Sequence, residues 1–262
     1  MDEPSPRELF PRGLIQPPDG FRFSLDALLL AAFAAHPQGG RVADLGAGCG
    51  VVGLAMLLKD DTLEAVSALE ADTALVRAAR ENAGLLGESY RFQAYEADVR
   101  EIRRDAKWQP EGFQRVVSNP PYRKAGQGRA PATKRREAAL FESETSLAHF
   151  VDAASYLLRN KSPFFLVYDA ERLDDVLAEL LARKLRPKRL VCVHSRRDER
   201  ARLVLVEAMK NGGAGLRVEP PLFLYSGEGR DTELTARALE FCPFLACNPR
   251  PGGGGQGDSP SE

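Results

Sequence analysis

The sequence lacks a long apolar segment and any regular grouping of cysteines. Its longest apolar run, residues 27–35, is far shorter than the roughly 20 residues that cross a bilayer. The acidic, proline-containing start of the chain is unlike a signal peptide. The four cysteines are scattered with no C-x-x-C pair, which excludes a zinc ribbon and disfavours a disulfide framework. We therefore expect a cytoplasmic protein with no membrane contact and no metal site.

The chain also lacks an excess of either charge. Its 36 Lys and Arg residues against 37 Asp and Glu residues give a net charge of -1. That balance argues against a protein that coats nucleic acid, although a local basic patch stays open. The length of 262 residues, 44% of them hydrophobic, fits one domain with its own core. We expect flexible residues 1–12, one domain over residues 13–248 and a disordered glycine-rich tail at 249–262.

Strand-like and helix-like patterns alternate along most of the chain. Strands are predicted at 41–46, 65–70, 90–95, 113–118, 163–168, 189–194 and 202–207. Helices are predicted at about 50–59, 72–86, 146–159 and 171–184. This order predicts an α/β, Rossmann-like fold with a seven-stranded, mostly parallel sheet and helices on both faces. The short connection between the last two strands predicts a closing antiparallel strand.

Three glycines follow the first predicted strand, in the sequence Asp44-Leu-Gly46-Ala-Gly48-Cys-Gly50. Glycines at a strand-to-helix turn let the backbone approach a ligand closely. The spacing is D-x-G-x-G-x-G, whereas the dinucleotide-binding pattern is G-x-G-x-x-G. That difference disfavours an NAD-dependent oxidoreductase. A purely structural tight turn is the alternative interpretation.

Acidic residues lie at the ends of the first three predicted strands. Asp44 belongs to the first, Glu70 ends the second and Asp98 lies just past the third. Each acid alone is more often a solvated residue at a strand end. Together, beside the glycine turn, they predict one crevice at the carboxyl edge of the sheet. Glu70 is placed to accept ribose hydroxyls, and Asp98 to accept a hydrogen bond from an adenine amino group.

This pattern resembles that of the class I S-adenosylmethionine-dependent methyltransferases. The resemblance implies S-adenosyl-L-methionine as the cofactor. The residues that it implies around the cofactor are Asp44, Gly46, Gly48, Gly50, Glu70, Ala71, Asp98, Val99 and Asn119.

The segment Ser118-Asn119-Pro120-Pro121-Tyr122 directly follows the fourth predicted strand. A rigid turn is the simpler interpretation, because proline fixes φ and ends a strand. The chemical interpretation is that the Asn119 side-chain oxygen and the Pro120 carbonyl accept hydrogens from a planar amine or amide nitrogen. Tyr122 would stack on the planar group. We therefore predict Asn119, Pro120, Pro121 and Tyr122 as the catalytic residues, which act by positioning.

Further segments resemble a narrower family, the bacterial tRNA1(Val) (adenine-37-N6)-methyltransferases. These segments are residues 16–30, Arg135-Arg136, Pro187-Lys-Arg-Leu, Val193-His-Ser and residues 203–210. In that family the entry segment, here 13–40, lies over the cofactor. The resemblance therefore implies contacts from Ser24 and Asp26, for which an N-cap of the following helix is the alternative. Where members carry an Arg-His-Glu-like run, this chain has Leu140-Phe141-Glu142.

The segment after the catalytic turn is strongly basic. Six cations and no acid lie between residues 123 and 136, namely Arg123, Lys124, Arg129, Lys134, Arg135 and Arg136. A solvated charge run is one interpretation, and phosphate binding beside a cleft that holds a base is the other. We predict these six residues as substrate-binding. A second basic group between Arg183 and Arg202 is a candidate extension.

The sequence predicts an S-adenosylmethionine-dependent N-methyltransferase that acts on the N6 amino group of an adenine in RNA, with tRNA as the partner. We expect a monomer or a weak homodimer. One alternative is a glutamine-N5 methyltransferase of a release factor, which resembles this chain through the same Asn-Pro-Pro-Tyr. Such enzymes carry a helical domain before the glycine loop, whereas 43 residues precede Asp44 here. A non-catalytic RNA-binding module is the third candidate.

Overall fold

A mixed β-sheet forms the centre of the molecule. The computed structural model describes residues 5–17, 24–35, 39–121, 145–227 and 229–247. The seven long strands are β1 Gly40–Leu45, β2 Leu63–Glu70, β3 Phe92–Glu96, β4 Arg115–Ser118, β5 Pro163–Asp169, β6 Leu185–His194 and β7 Ala201–Lys210. Their spatial order is β3-β2-β1-β4-β5-β7-β6. β1 to β5 pair in parallel, and β7 is antiparallel to both β5 and β6. The predicted mostly parallel sheet with a closing antiparallel strand is confirmed.

Within the described ranges the sheet has nine strands, where the sequence predicts seven. The additional strands, β8 (Arg217–Val218) and β9 (Leu222–Phe223), pair in parallel with β6. Two further short strands, β10 (Tyr225–Ser226) and β11 (Glu233–Leu234), form a separate hairpin. Two-residue strands carry no readable periodicity, and they form because β6 offers an open edge.

Helices cover both faces of this sheet. Their bounds are α1 Pro6–Leu9, α2 Leu25–Ala34, α3 Val51–Lys59, α4 Thr73–Leu85, α5 Leu147–Leu157, α6 Leu173–Ala182 and α7 Ala236–Phe241. One apolar cluster joins α2, α3 and α4 to one face of the sheet, and a second joins α5 and α6 to the other. Asp72 caps α4, since its carboxylate accepts hydrogen bonds from the backbone N–H groups of Ala74 and Leu75. No helix in the described ranges is long and apolar enough to cross a membrane.

Residues 5–12 are packed against the domain. Phe10 is 1% exposed, and its ring meets the edge of Phe244 with the centroids 4.9 Å apart. Arg7 donates to the buried carboxylate of Glu88 at 2.6 Å. One buried aromatic ring and one ion pair between the half-exposed Arg7 and the buried Glu88 thus anchor this short helix.

Candidate active site

The glycine loop, residues 46–50, joins β1 to α3 and is fixed to the end of β2. The N–H groups of Gly46 and Ala47 both donate to the Leu69 carbonyl, at 2.8 and 3.1 Å. Gly48 has a φ of +57°, and a Cβ at this position would meet no atom within 4 Å. Gly50 has a φ of +87°, and a Cβ there would lie 2.8 Å from the Phe92 ring. Gly50 therefore permits close packing, whereas Gly48 leaves an open space above the loop.

Glu70 ends β2 and holds the glycine loop from the side. Its Oε2 accepts the Gly48 N–H at 2.9 Å, and its Oε1 accepts the Asp72 N–H at 2.9 Å. Burial raises the pKa of Glu70, while these backbone hydrogen bonds oppose the rise. Each carboxylate oxygen has a second lone pair, so the group retains acceptor capacity for a ligand hydroxyl. Ala71, the next residue, is exposed at the same edge.

Asp44 lies beneath the same loop, with 1% of its surface exposed. Its Oδ2 accepts the Gly53 N–H at 3.1 Å, in the first turn of α3, where backbone N–H groups lack partners inside the helix. Burial raises the pKa of Asp44 to about 7, and the nearby Glu70 carboxylate contributes to the rise. Asp44 thus acts as a buried cap that fixes the loop between β1 and α3.

Asp98 follows β3, but Arg100 already occupies its carboxylate. The Arg100 guanidinium contacts both oxygens of Asp98 at distances between 2.6 and 3.0 Å. This pairing holds the pKa of Asp98 below its ordinary value. An adenine amino group would have to share the carboxylate with Arg100. Val99, the predicted neighbour, is largely buried.

Asn119 directly follows β4 and lies beside the glycine loop. Ser118 pairs in register with Leu45, and its hydroxyl donates to the Leu45 carbonyl at 2.9 Å. The next residues along these two strands, Asn119 and Gly46, are therefore neighbours at the carboxyl edge. The Asn119 Oδ1 is buried and has no hydrogen-bond partner within the described ranges. A buried acceptor without a donor is costly, and it marks a place where a ligand donor fits.

The beginning of α2 reaches the same edge. The other end of α2 lies at the amino edge, since the Ala34 carbonyl accepts a hydrogen bond from Arg115 at the start of β4. Ser24 precedes α2 without capping it, and its Oγ is buried with no partner among the residues described. Asp26 is 9% exposed in the first turn. The structure therefore brings both predicted residues to the predicted edge, and the capping role for Ser24 is absent.

Part of the predicted site falls outside the described ranges. Pro120 is buried and Pro121 is half-buried. Tyr122, Leu140-Phe141-Glu142 and all six predicted substrate cations lie outside the described residues; the six cations are Arg123, Lys124, Arg129, Lys134, Arg135 and Arg136.

The second basic group, Arg183 to Arg202, is divided between opposite edges of the sheet. Leu185 begins β6 at the amino edge, where Met209 of β7 faces Pro163 of β5. The hairpin between β6 and β7 lies at the carboxyl edge, because Leu203 of β7 faces Asp169, the last residue of β5. The candidate extension is therefore not one patch, since the ten-residue strand β6 separates its two halves.

Two residues that the sequence did not assign to the site also shape it. Asn82 of α4 is fully buried. Its Nδ2 donates to the carbonyls of Cys49 and Ile15, both at 3.0 Å, and its Oδ1 accepts the Ile15 N–H at 2.6 Å. The feature of the sequence that could have indicated this role is a polar Asn within the apolar pattern of the amphipathic helix α4. His149 in α5 contacts the N-cap Ser146, and its charge contributes to lowering the pKa of Asp98.

The residues at this edge fit a nucleoside that carries an amino-acid group. The open side of Gly48 leaves room for the ligand, and Glu70 offers acceptor capacity for ribose hydroxyls. The unpartnered oxygens of Ser24 and Asn119 supply further polar contacts. Within the described ranges, no group of three or more His, Cys, Asp or Glu side chains is arranged to hold a metal ion.

Comparisons with known proteins agree with this arrangement. The family model described as methyltransferase small domain matches residues 25–172. The tRNA1(Val) (adenine(37)-N6)-methyltransferase of Cronobacter sakazakii is 30% identical over 142 residues, which cover 54% of this chain and 56% of that protein. The enzyme of the same name from Pasteurella multocida is 28% identical over 154 residues, which cover 59% of this chain and 63% of that protein. The chain thus spans less than two thirds of the length of either relative.

A solved structure supports the fold over a longer range. A predicted O-methyltransferase from Agrobacterium tumefaciens superimposes with a TM-score of 0.67 at 24% identity, covering 84% of this chain and 96% of that one. The likeness concerns the fold alone. The family match extends over more than half of the chain and carries the predicted cofactor with it. The chain belongs to the methyltransferase small domain family, has the class I methyltransferase fold and uses S-adenosyl-L-methionine as its cofactor.

Proposed function

We propose that the chain is an N-methyltransferase that transfers a methyl group to the N6 amino group of an adenine in RNA, at a position like 37 of a tRNA. The observation that carries the proposal is the buried, unpartnered Oδ1 of Asn119 beside the glycine loop. That oxygen can only accept a hydrogen bond, so its complement is an N–H or O–H donor. The N6 amino group of adenine is such a donor.

The cofactor supplies an electrophilic methyl group when it is bound. An exocyclic amino group is planar and a poor nucleophile, because its lone pair is delocalised into the ring. When Asn119 Oδ1 and the Pro120 carbonyl each accept one hydrogen, the nitrogen is drawn toward tetrahedral geometry and its lone pair becomes available. The hydrogen bond from the Ser118 hydroxyl to the Leu45 carbonyl fixes the end of β4. The two acceptor oxygens therefore need to move little during the reaction.

Loss of the proton from the methylated nitrogen requires no strong base. The nitrogen would use its lone pair to bond the methyl carbon, while the bond from that carbon to the cofactor sulfur breaks and leaves its electron pair on sulfur. The positively charged product would then release one proton to water. An amide oxygen is too weak a base to keep that proton, so Asn119 orients the amino group and does not remove its proton. Pro120 has no N–H and therefore cannot donate to the nitrogen and occupy its lone pair.

The names of the relatives support adenine in tRNA as the acceptor. The same residues would also orient a carboxamide nitrogen, so glutamine of a release factor is the alternative that the chemistry leaves open. A tRNA substrate would place the reaction in the cytoplasm.

The proposal is tested by supplying labelled S-adenosylmethionine to the purified full chain with tRNA, rRNA and release factor in parallel reactions. We expect label in tRNA, recovered as N6-methyladenosine after digestion to nucleosides. Label recovered as N5-methylglutamine would replace the proposal with the protein-directed alternative. Cofactor binding without label in any of the three substrates would favour the non-catalytic module.

A further inference from the structure

The β6–β7 hairpin carries exposed arginines at the same edge of the sheet as the candidate active site. The hairpin, residues 195–200, connects His194 to Ala201. Arg197 and Arg200 are exposed within it, and Arg202 is exposed at the start of β7. None of these three guanidinium groups has an ion-pair or hydrogen-bond partner within the part of the chain that the structure describes. The residues from 195 to 202 carry a net charge of +2, in a chain whose net charge is -1.

A fourth arginine holds the hairpin in a fixed shape. Arg196 donates to Glu199 at 3.1 Å, to the Gly227 carbonyl at 3.2 Å and to the Thr232 hydroxyl at 3.0 Å. The Ser195 carbonyl accepts the Tyr225 N–H at 2.9 Å. Because Arg196 forms an ion pair with Glu199, the negative charge of Glu199 is neutralised within the hairpin. These hydrogen bonds therefore fix the hairpin backbone, whereas Arg197, Arg200 and Arg202 have no partner within the described ranges.

The position of the hairpin follows from the strand register. Ser118 of β4 faces Leu166 of β5, Leu166 faces Val206 of β7, and Val206 faces Leu190 of β6. β6 continues for four residues beyond that level, which is about 13 Å along the strand. Two or three strand spacings separate β4 from the hairpin sideways, roughly 10–15 Å. The hairpin thus lies at the same edge as Asn119 but is displaced to one side. The separation corresponds to about five nucleotides along one nucleic-acid strand, at roughly 3.4 Å for each nucleotide.

Other cations near this edge are already neutralised. Arg100 pairs with Asp98 at 2.6 Å, Arg103 pairs with Asp152 at 2.6 Å, and Arg104 pairs with Glu101 at 3.0 Å. Their charges are satisfied within the fold. Within the described ranges, the guanidinium groups of Arg197, Arg200 and Arg202 by contrast remain available to an external anion.

We propose that the β6–β7 hairpin binds phosphates of the RNA substrate through Arg197, Arg200 and Arg202, several nucleotides away from the base that reacts. This inference rests on the proposed function, because it takes RNA as the substrate. The planar guanidinium fork matches phosphate oxygens in a bidentate manner. Contacts of this kind carry no sequence information and position the substrate.

The test compares two double variants that remove the same charge at opposite edges. The hairpin variant is Arg197→Gln with Arg200→Gln, and the control is Lys184→Gln with Arg186→Gln, two exposed cations at the amino edge. Binding of tRNA is measured over a salt titration for both variants and the wild type. S-adenosylmethionine binding serves as the folding control, because all substituted side chains are exposed.

We expect the slope of log affinity against log salt to flatten in the hairpin variant by about 0.7–0.9 for each phosphate that the protein no longer neutralises. The control is expected to keep the wild-type slope, and Arg197→Lys with Arg200→Lys is expected to retain most of it.

The failures of the two proposals are distinguishable. Wild-type methylation of tRNA, combined with an unchanged slope in the hairpin variant, would overturn the hairpin proposal alone. Equal flattening in both double variants would overturn it as well, since overall charge would then explain the effect. If the wild type methylates a release factor and no RNA, the proposed function and the hairpin proposal both fall.

Discussion

Asn119 is held in place by the fold and has the main role in the proposed reaction. The backbone before it is fixed by the Ser118 hydroxyl and by pairing with β1, whereas its own Oδ1 has no partner in the described part of the chain. A side chain that served only to end the strand would be expected to satisfy that oxygen within the protein. The proposed catalytic role of Asn119 rests on this unmet acceptor, which a rigid turn alone does not require.

Replacing Asn119 with Ala should separate chemistry from cofactor binding. Loss of one preorganised hydrogen-bonding group should reduce the rate of methyl transfer by ~100-fold or more, while affinity for S-adenosylmethionine changes little. The measurements are single-turnover rates and calorimetric titration of the cofactor. Asn160→Ala, an exposed asparagine before β5, is the matched control and should behave as wild type. A large loss of cofactor affinity in Asn119→Ala would make Asn119 a cofactor-binding or structural residue.

Glu70 should matter to the cofactor, because its carboxylate lies where the glycine loop meets the end of β2. Glu70→Gln removes the negative charge and one of its two acceptor oxygens. We expect S-adenosylmethionine affinity to fall by roughly 1.5–3 kcal/mol, the range for hydrogen bonds to charged groups. Calorimetry provides the test, and Glu64→Gln, an exposed glutamate at the other end of β2, provides the control. Equal affinities for both variants would remove Glu70 from the site.

At the scale of elements, the N-terminal segment is tied to the glycine loop through one helix. Asn82 of α4 joins the backbone of Ile15 to the Cys49 carbonyl. Arg7 binds the Leu86 carbonyl and Glu88 just beyond the end of the same helix. The helix α4 thus holds the chain before α2 against the cofactor loop.

Asn82→Ala should weaken both this anchor and the cofactor site. The buried Cys49 carbonyl would lose its partner, which alone costs roughly 1–3 kcal/mol. We expect a lower free energy of unfolding in urea together with weaker S-adenosylmethionine binding. Glu81→Ala, its exposed neighbour on α4, should leave both quantities unchanged. Wild-type stability in Asn82→Ala would mean that the segment is held by Phe10 and Arg7 without this tie.

The long elements and the edge residues were predictable because each depends on local pattern. Buried strands of β-branched and aliphatic residues ended at Glu70 and Ser118 as expected, and parallel strands bring their carboxyl ends together. The Asn82 tie was not predictable, because it joins segments 67 residues apart. The division of the basic stretch was missed because β6 begins at Leu185, with Pro187 inside it. Its ladder accommodates this proline beside a register shift between Pro187 and Arg189.

At the scale of the whole molecule, the two edges of the sheet differ in character. The carboxyl edge gathers the unpartnered polar atoms of Ser24 and Asn119 and the free cations of the hairpin. At the amino edge, Arg115 donates a hydrogen bond to the Ala34 carbonyl, and one buried oxygen, Asp60 Oδ2, has no partner among the residues described.

Asp44, near the end of β1, links the carboxyl edge to the stability of the entire fold. Its pKa is about 7 in the folded chain, against an ordinary value of 3.8, and burial is the main cause. Between about pH 4 and 7 the folded chain therefore retains a proton that the unfolded chain has released. The stability that this proton contributes is complete below about pH 4 and is lost as the pH rises through 7. The full effect is on the order of 4 kcal/mol, at about 1.4 kcal/mol for each pKa unit.

Asp44→Asn should consequently flatten the dependence of unfolding free energy on pH. The amide oxygen of Asn still accepts the Gly53 N–H, but the side chain no longer ionises. Urea unfolding at pH 5, 6, 7 and 8 is expected to show the wild type losing stability with rising pH more steeply than the variant. The residual slope in the variant is expected to include Glu70, whose pKa is also raised. Asp61→Asn, an exposed carboxylate, should follow the wild-type curve. Parallel curves for wild type and Asp44→Asn would show that the Asp44 carboxyl does not keep its proton in the folded chain across this range.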